Sequence, residues 1–527
     1  MPSSPTTARR HDRLVLLICG LLLLAFGLIW FLNAGKPYEL DYDEGVYLTS
    51  AQMVMRGHQP FTAVFSSQPP VFLNILVVAF HLFGSSVAVG RGVSIIFALL
   101  SLGSAAGIGW RLAGPIAAPV TIIAQGLPLV FFLDAQTVQS EMPALALALL
   151  AIALLLSAKQ RRRSLWIAAS GFIFALGLLC KLLVAPMILP LIFVLGRSFE
   201  KGEENVWRFL PANSSSARVF IFRFLLLVVG GIVACAIVLL PYDLTAVYDQ
   251  AIRFHLKARA ALPNSWPQNL RLLGSIFQLE PGLIALALAG LIVLFRERPR
   301  AGIWLSFWIA ATTIFLIDHS PLFTHHSVIL VPPLAIAAGA SVLWLPSVWA
   351  TKWIRPVALL LLLPLVALKP QLALGDPATW RPAFSPQRDL ELSVEVASDS
   401  ERERQVLQLI EQNTRPDDFI VSDRQMRIFR TGRNVPPAMV DTSGVRITSG
   451  YLTDAQAISA SEQARMIIFW TGRLERLKEY RQWVQSRYRL LREWRDQGPG
   501  LKEVYLLEPP RPPQVEVSRK GAKKRKT

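Results

Sequence analysis

The chain has 527 residues, of which 53% are hydrophobic and 17% are charged, and its formal net charge is +18. A mean hydropathy of +0.42 and many long apolar runs exclude a mainly soluble protein and indicate a polytopic membrane protein. Most lysines and arginines lie in short loops or in the terminal tail, so the charge indicates positive-inside topology and not nucleic-acid binding. Cys19, Cys180 and Cys235 lie in or beside apolar runs, which predicts neither a disulfide framework nor a metal site.

The apolar runs predict about eleven membrane-spanning helices after a cytoplasmic N-terminus. They lie near residues 14–33, 89–110, 115–133, 142–158, 165–180, 182–196, 219–240, 281–295, 302–317, 327–346 and 356–369. The first run is long enough to span, so we interpret it as a helix and not as a cleaved signal peptide. The segment from Pro70 to Phe83 is short and begins beside a second proline, which predicts a helix at the membrane interface. With that segment at the surface, the basic loop at 159–163 lies inside and the C-terminus lies outside.

Acidic side chains then converge on the outer membrane face. Asp41, Asp43 and Glu44 follow the first predicted span, and Asp134 and Glu141 lie in the short hinge between the third and fourth spans. Carboxylates beside apolar segments are unfavourably solvated, which favours a functional role. A solvated loop, a helix N-cap or compensation of a helix dipole would also explain them one by one.

Three further side chains on this face have open interpretations. Lys181 interrupts an apolar run, where it would either snorkel to the interface or bind a lipid phosphate. His325 and His326 have no firm assignment, since a histidine in such a place is more often a polar core residue than a functional one.

The chain changes character after the last predicted span. We predict a transmembrane domain over residues 1–369, a small extracytoplasmic α/β domain over 370–510 and a basic disordered tail over 511–527. Within the α/β domain, the pattern predicts a helix from Glu401 to Gln412 and strands at Phe419–Ser422 and Val504–Leu507. Between them lie a further apolar run, Met466–Trp470, and an amphipathic segment from Leu474 to Arg487. The domain contains no glycine-rich nucleotide motif, so nothing marks it as a second catalytic centre. The tail is predicted to contact anionic lipid headgroups.

Several motifs occur in an order that resembles a family of membrane glycosyltransferases. They are Asp43-Glu44-Gly45-Val46-Tyr47, Gly57-His58-Gln59-Pro60-Phe61, Gln68-Pro69-Pro70, Gly84, Arg91 and Gly177-Leu178-Leu179-Cys180-Lys181. The sequence from about Arg13 to Ile354 resembles the GT-C fold glycosyltransferases, and within them the branch of protein O-mannosyltransferases and lipid A aminoarabinose transferases (glycosyltransferase family 39). Many of these relatives have lysine where this chain has Gln68, so a phosphate contact at that position is in doubt.

The resemblance implies transfer of a sugar from a polyprenyl phosphate donor to a lipid, polysaccharide or protein acceptor outside the cytoplasmic membrane, without a nucleotide sugar. It implies Asp43 as the general base, Glu44 as its partner, and Glu141 or Asp134 as the second acidic residue. Such a reaction needs a base for the acceptor hydroxyl and cations for the phosphate leaving group. Candidates for the phosphate contact are Lys181, Arg91, Arg253, Lys257 and Arg259. No cofactor is implied with certainty, and a divalent metal ion is compatible with the motifs.

Two other classes of protein are compatible with a multispan bundle that carries buried charge. A secondary transporter would have its charges at mid-span and within an internal repeat, whereas these acids lie at one membrane face. A non-catalytic scaffold for envelope glycan assembly would keep its function after loss of Asp43.

Overall fold

The computed structural model describes residues 5–36, 39–158, 162–196, 214–344, 400–494 and 502–507. Up to residue 344 the described chain is helical. Its α-helices are α1 (Pro5–Ala34), α2 (Tyr42–Met55), α3 (Val71–Phe83), α4 (Val87–Ala113), α5 (Ala117–Gly126), α6 (Leu129–Asp134), α7 (Glu141–Ser157), α8 (Arg163–Leu178), α9 (Ile188–Leu195), α10 (Ser214–Leu239), α11 (Leu244–Tyr248), α12 (Phe254–Ala261), α13 (Trp266–Phe277), α14 (Pro281–Glu297), α15 (Pro299–Asp318) and α16 (Val331–Ala340). Tighter 3-10 turns cover Leu182–Met187, Thr324–Leu330 and Ser341–Trp344, and a wider π-helical turn covers Asp249–Arg253.

The helical part is that of a multi-pass membrane protein, as predicted. Five of its helices are long and apolar enough to cross a bilayer, namely Asp12–Ala34, Val87–Ala113, Ser216–Leu239, Pro299–Asp318 and Thr324–Trp344. A sixth crossing results if α13 and α14, which meet at a bend of 98°, are one broken span. The predicted number of eleven spans depends on shorter apolar helices and stays a prediction, and its last span, 356–369, lies outside the described residues.

Two predicted spans are interrupted for a local reason. The run 115–133 divides into α5 and α6 at Leu127-Pro128, because proline at 128 offers no N–H to continue the helix. The run 182–196 starts as a 3-10 turn that contains Pro186 before α9 begins. The helices α2 and α13 were not predicted from the sequence.

Glycine residues let neighbouring helices approach closely within the bundle. A Cβ atom on Gly171 of α8 would lie 1.9 Å from the carbonyl oxygen of Leu227 on α10, and one on Gly290 of α14 would lie 1.7 Å from that of Ala337 on α16. Such contacts are only possible without a side chain, and they are typical of helix packing in membranes.

The C-terminal part is a small α/β domain, and its predicted class is confirmed. Its helices are α17 (Ser400–Asn413), α18 (Gln425–Thr431), α19 (Gly444–Thr448), α20 (Asp454–Ser461) and α21 (Lys478–Arg487), with 3-10 turns at Pro437–Met439 and Leu474–Arg476. Its strands are β1 (Phe419–Ser422), β2 (Ala464–Phe469), β3 (Tyr488–Trp494) and β4 (Lys502–Leu507), in the sheet order β1-β2-β4-β3. The pair β1–β2 is parallel and the other two pairs are antiparallel. The predicted boundary at 369/370 lies outside the described residues.

The helix α2 lies between the two parts of the molecule. Its residue Met53 belongs to the hydrophobic core of the α/β domain, while Met426 and Phe429 of α18 belong to the core of the helical part. Gly45 faces α18 so closely that a Cβ atom there would lie 2.5 Å from the backbone nitrogen of Met426. The loop that follows α1 and the helix α2 are therefore held by both parts at once.

Candidate active site

A cavity of about 1270 Å³ lies where the helical part meets the α/β domain. It is lined from the helical part by Asp41, Asp43, Gln68, Asp134, Lys181, His255, Arg259, Arg271, His319, His325 and His326, and from the α/β domain by Asp441, Ser443, Gly444, Arg473 and Arg476. Polar side chains from nine separate segments thus converge on one space, which we call the site cavity.

Asp43 enters the site cavity from the first turn of α2. Asp41 is the N-cap of that helix, and its Oδ1 accepts a hydrogen bond from the backbone N–H of Asp43 at 2.8 Å. Asp43 is half-buried, and no hydrogen bond within the described chain satisfies its carboxylate. Its carboxylate is therefore available to a ligand in the cavity.

The surroundings of Asp43 favour its protonated form. Burial and the negative charge of Asp41 together raise the pKa of Asp43 to about 7. For Asp41, burial acts in the same direction and is the largest single effect. The hydrogen bond and charge of His325, together with hydrogen bonds from the Asp43 backbone and Gln139, outweigh it and lower the pKa of Asp41. Two neighbouring carboxyls thus differ in proton affinity, which suits one of them to act as a base near neutral pH.

A buried network connects the first loop to the hinge. Lys181 donates to Oε1 of Glu141, and His325 lies between two carboxylates, with Nδ1 3.4 Å from Oδ2 of Asp41 and Nε2 3.4 Å from Oε1 of Glu141. Glu141 is 1% exposed and does not line the cavity, whereas Lys181 and His325 do. Asp134 lines the cavity too, and its Oδ2 has no hydrogen-bond partner within the described chain.

Glu141, His325 and His326 are close enough together to be considered as metal ligands, since one ligand atom from each lies within 4.8 Å of the others. Their hydrogen bonds do not fit that role. The N–H of Phe323 points to Nδ1 of His326 at 3.3 Å, so the neutral ring carries its proton on Nε2, the atom that faces Glu141. Because the Lys181 ammonium already contacts the same Glu141 oxygen, the arrangement favours an ion pair over a divalent metal ion.

Two of the predicted site residues have a different role. Glu44 and Arg91 are both fully buried and form a two-point ion pair, with Nε–Oε1 at 2.7 Å and Nη2–Oε2 at 2.8 Å. Arg91 also donates to the carbonyl of Lys36 at 3.0 Å, and Glu44 accepts from the N–H of Val138 at 3.3 Å. Neither lines the site cavity, and the pair connects the first loop to the hinge. The phosphate contact of Arg91 stays a prediction.

The three predicted cations of the segment after α10 also differ in position. Arg259 lines the cavity, where it pairs with Asp318 at 2.8 Å. Arg253 pairs with Asp249 at 3.2 Å on the exposed surface, and Lys257 lies 4.9 Å from the ring centroid of Tyr451. Neither of these two lines the cavity, and their contact with a donor phosphate stays a prediction.

Gln68 lies in the cavity beside His255. The side-chain nitrogens Nε2 of the two residues are 3.4 Å apart, and His255 Nε2 donates to the carbonyl of Ser67 at 2.7 Å. Burial lowers the pKa of His255 to about 4, so its ring is neutral at physiological pH. Gln68 and His255 therefore bring no positive charge to this part of the cavity.

Sequence reasoning missed the contribution of the α/β domain. Arg473 and Arg476 line the cavity from the turn after β2, and Arg473 lies 4.0 Å from the ring centroid of Tyr42. It also missed the link that His325 makes between Asp41 and Glu141. The signal in the sequence was the pair of adjacent histidines, but the carboxylates that His325 contacts lie nearly two hundred residues away or more.

The comparisons with known proteins agree with this architecture. Residues 67–205 match the family model described as dolichyl-phosphate-mannose-protein mannosyltransferase. The fold is similar to the crystal structure of ArnT from Cupriavidus metallidurans bound to undecaprenyl phosphate, with a TM-score of 0.60, 17% identity, and coverage of 92% of this chain and 97% of that chain. The apo state of the same protein matches with a TM-score of 0.58, 18% identity and the same coverage of 92% and 97%. Among curated proteins, no sequence matches the chain.

The predicted resemblance is confirmed on these two grounds. The structural match shows the GT-C fold over most of the chain, and the family match covers the segment that contains the hinge and Lys181. The family match is to a mannosyltransferase, which supports the predicted enzyme class.

Proposed function

We propose that the protein transfers a sugar from a polyprenyl phosphate donor to an acceptor on the outer side of the cytoplasmic membrane, with Asp43 as the general base. The observation that carries this proposal is the carboxylate of Asp43, which lines the site cavity with a pKa raised to about 7. A carboxylate with that proton affinity can remove a proton from a hydroxyl as the oxygen attacks.

Each bond change has a group that can serve it. The acceptor oxygen forms a bond to the anomeric carbon while the bond from that carbon to the phosphate oxygen breaks. The hydroxyl proton passes to Asp43, and the bonding electrons leave with the polyprenyl phosphate. Lys181 would stabilise the charge that develops on the phosphate, because an ammonium group has three N–H donors and Glu141 takes one.

An apolar groove beside the cavity supports a lipid donor. It has a volume of about 850 Å³ and lies between α8, α9 and α10, where it is lined by Phe174, Leu178, Ile188 and Leu227 among others. Ala185 lines both the groove and the site cavity, only four residues after Lys181. A polyprenyl chain in the groove would therefore have its phosphate near Lys181. The relative from Cupriavidus metallidurans binds undecaprenyl phosphate, which agrees with this choice of donor.

The test replaces the proposed base and keeps the shape of its side chain. Asp43→Asn should lower the rate of sugar transfer by about a hundredfold or more in purified enzyme in nanodiscs, because the amide cannot accept the proton. The donors are a panel of polyprenyl-phosphate sugars that carry a radiolabel on the lipid, and the acceptor is envelope extract. The measured quantity is the polyprenyl phosphate that is released. Asp243→Asn is the matched control, since Asp243 is an exposed N-cap and asparagine also caps a helix.

Turnover by the Asp43→Asn variant near that of the control would remove Asp43 as the base. In that case Asp134, the other cavity acid with an unsatisfied oxygen, would be the next candidate. The scaffold alternative would be favoured if the purified wild type transferred no sugar and the Asp43→Asn variant still supported the protein's function in cells.

A further inference from the structure

The wall that the α/β domain contributes to the site cavity contains two arginines, Arg473 and Arg476. Both belong to the turn that follows β2, and both line the cavity. The turn is fixed at its base, since the carboxylate of Asp423 accepts hydrogen bonds from the backbone N–H of Trp470 at 2.8 Å and of Arg473 at 3.2 Å. The side chain of Arg473 therefore starts from a rigid backbone.

Both guanidinium groups have defined neighbours next to the proposed base. Arg473 lies 4.0 Å from the ring centroid of Tyr42, the residue that precedes Asp43. Arg476 donates to Oγ1 of Thr448 at 3.4 Å and lies against Gly444, where a Cβ atom would be 2.8 Å from its Nη1. The aromatic ring and the glycine hold the two cations at the cavity wall without neutralising them.

These two arginines differ from others in the same domain. Arg424 pairs with Glu39 at 2.6 Å, Arg427 with Glu403 at 2.6 Å, and Arg481 with Glu503 at 3.2 Å. Within the described chain, by contrast, no carboxylate forms an ion pair with Arg473 or Arg476.

One carboxylate does line the same wall. Asp441 accepts a hydrogen bond from the N–H of Ser443 at 2.8 Å, and its charge acts on buried Arg446. Even with Asp441 included, the two arginines leave this wall of the cavity with a net positive charge.

We propose that Arg473 and Arg476 form an anion-binding subsite that recognises a phosphate or carboxylate group on the acceptor. Guanidinium groups bind both anions through paired N–H donors, and such bonds are strong where the surroundings exclude water. The inference deepens the proposed function and rests on it, because it gives the class of acceptor as anionic. The adjacent position of Tyr42 and Asp43 would then place an acceptor hydroxyl near the base when its anionic group contacts Arg473.

The position of the apolar groove separates this subsite from the donor. The groove meets the site cavity at Ala185, on the side of Lys181, and is built entirely from helices α8 to α10 and the segments beside them. Arg473 and Arg476 belong instead to the α/β domain, which does not contribute to the groove. A donor whose lipid chain occupies the groove would meet Lys181, which leaves the arginine wall to the second substrate.

The experiment uses the full-length protein in nanodiscs of phosphatidylcholine and four probes: glucose 6-phosphate, glucuronate, glucose and undecaprenyl phosphate. Dissociation constants are measured by ligand-observed NMR for the sugars and by fluorescence competition for the lipid. In the wild type, at least one of the two anionic sugars should bind about tenfold or more tightly than glucose. The double variant Arg473→Gln/Arg476→Gln should lose that preference, while its affinity for undecaprenyl phosphate should change by less than about twofold.

Matched variants keep the result interpretable. Arg487→Gln removes a cation from the same domain outside the cavity and should leave the preference for anions intact. Arg473→Lys/Arg476→Lys keeps the charge without the planar fork and should retain part of the preference. The single variant Arg476→Gln changes an exposed side chain, so it serves if the double variant does not fold.

Three outcomes would overturn the inference. A wild type that binds both anionic sugars no better than glucose would show that no such subsite exists, and transfer from a polyprenyl-phosphate sugar would still stand on its own assay. A double variant with an intact preference for anions would assign the binding to other residues. Weaker binding of undecaprenyl phosphate alone would assign the arginines to the donor. Failure of the wild type to bind undecaprenyl phosphate or to transfer sugar would instead contradict the proposed function.

Discussion

Asp43 should give the enzyme a pH dependence near neutrality. Its pKa is raised to about 7, and only the deprotonated form can accept the hydroxyl proton. Transfer should therefore be slow well below pH 7, rise through that value and level off above it. The measurement is kcat/KM against pH with purified enzyme, and the control Asp243→Asn should give the same rising limb. A rate that is constant from pH 5 to pH 9 would contradict an essential base with this pKa.

Lys181 and Glu141 should show different effects on stability and on donor use. Removal of Lys181 alone leaves Glu141 as a buried carboxylate without its ammonium partner, which typically destabilises by about 3–5 kcal/mol. Lys181→Met should therefore lower both the melting temperature and the affinity for the donor. Lys181→Met/Glu141→Gln should recover much of the stability but not the donor affinity, because the cation is still missing.

Thermal unfolding in detergent and initial rates against donor concentration separate these two effects. Lys181→Arg is the charge-preserving control, and it should retain part of the donor affinity. If the double variant binds the donor as well as the wild type, Lys181 has only a structural role in the ion pair.

At the level of single residues, the sequence indicates the position of Asp43 at the cavity but not the burial of Arg91 against Glu44. The acidic tetrad and the family motif both indicate Asp43, and the structure places that residue in the cavity. Glu44 is its neighbour on a helix, so its side chain points in a different direction and is buried against Arg91. A sequence does not reveal that two distant charges neutralise each other, and for that reason Arg91 was predicted as a phosphate ligand.

At the level of elements, α2 is the helix that connects the proposed base, Asp43, to both parts of the molecule. The hydroxyl of Tyr42 accepts from the N–H of Thr442 at 3.0 Å, and the hydroxyl of Tyr47 lies 2.8 Å from Oγ of Ser140 in the hinge. These contacts fix the first turn of α2, and with it Asp43, on two sides. The sequence does not indicate such a helix, because its buried positions face both parts and leave no single apolar stripe.

The close approach of α2 and α18 can be tested with one methyl group. Gly45→Ala would place a Cβ atom 2.5 Å from the backbone nitrogen of Met426, so the two helices must separate. We expect a lower melting temperature and a lower kcat, because the base is displaced from its position. Gly107→Ala in α4 is the matched control, since a Cβ atom there meets no other atom within 4 Å. Alanine at that helical position should be neutral or stabilise by about 0.5–1 kcal/mol.

Equal activity of the two alanine variants would show that the contact of α2 with α18 does not position Asp43. A lower melting temperature with unchanged kcat would assign the contact to stability alone. The readout of kcat at saturating donor is needed to distinguish these cases.

At the level of the whole molecule, the hydropathy of the sequence predicts the fold class and the order of the helical part and the α/β domain. It does not predict the contacts between these two parts. The alternation of apolar and basic segments predicts a helical membrane protein, and the later strand pattern predicts the α/β domain. The two parts are held together by contacts such as the ion pair of Arg424 with Glu39, two residues that are separated by most of the chain. A single sequence contains no signal for such pairs, so the contribution of Arg473 and Arg476 to the cavity could not be predicted from it.

The orientation of the molecule in the membrane stays a prediction, and two exposed positions can test it. The helix α7 starts at Glu141 beside the site cavity, and its 17 residues extend for about 25 Å to the loop before Ser164. Thr62 belongs to the outer loops on the cavity side in the predicted topology, and both side chains are exposed. The two positions should therefore lie on opposite sides of the bilayer.

In a background without Cys19, Cys180 and Cys235, Thr62→Cys should react with a membrane-impermeant maleimide in intact cells. Ser164→Cys should react only after the membrane is permeabilised, because the basic loop before it is predicted to be cytoplasmic. A Thr62→Cys/Ser164→Cys variant gives the internal control, since half of its labels should require permeabilisation. Labelling of both positions from outside would mean that the segment Val71–Phe83 crosses the bilayer, and the predicted interfacial helix would then be wrong. Labelling of Ser164→Cys alone from outside would place the site cavity on the cytoplasmic face. The acceptor would then be on the cytoplasmic side, which contradicts the proposed transfer on the outer side.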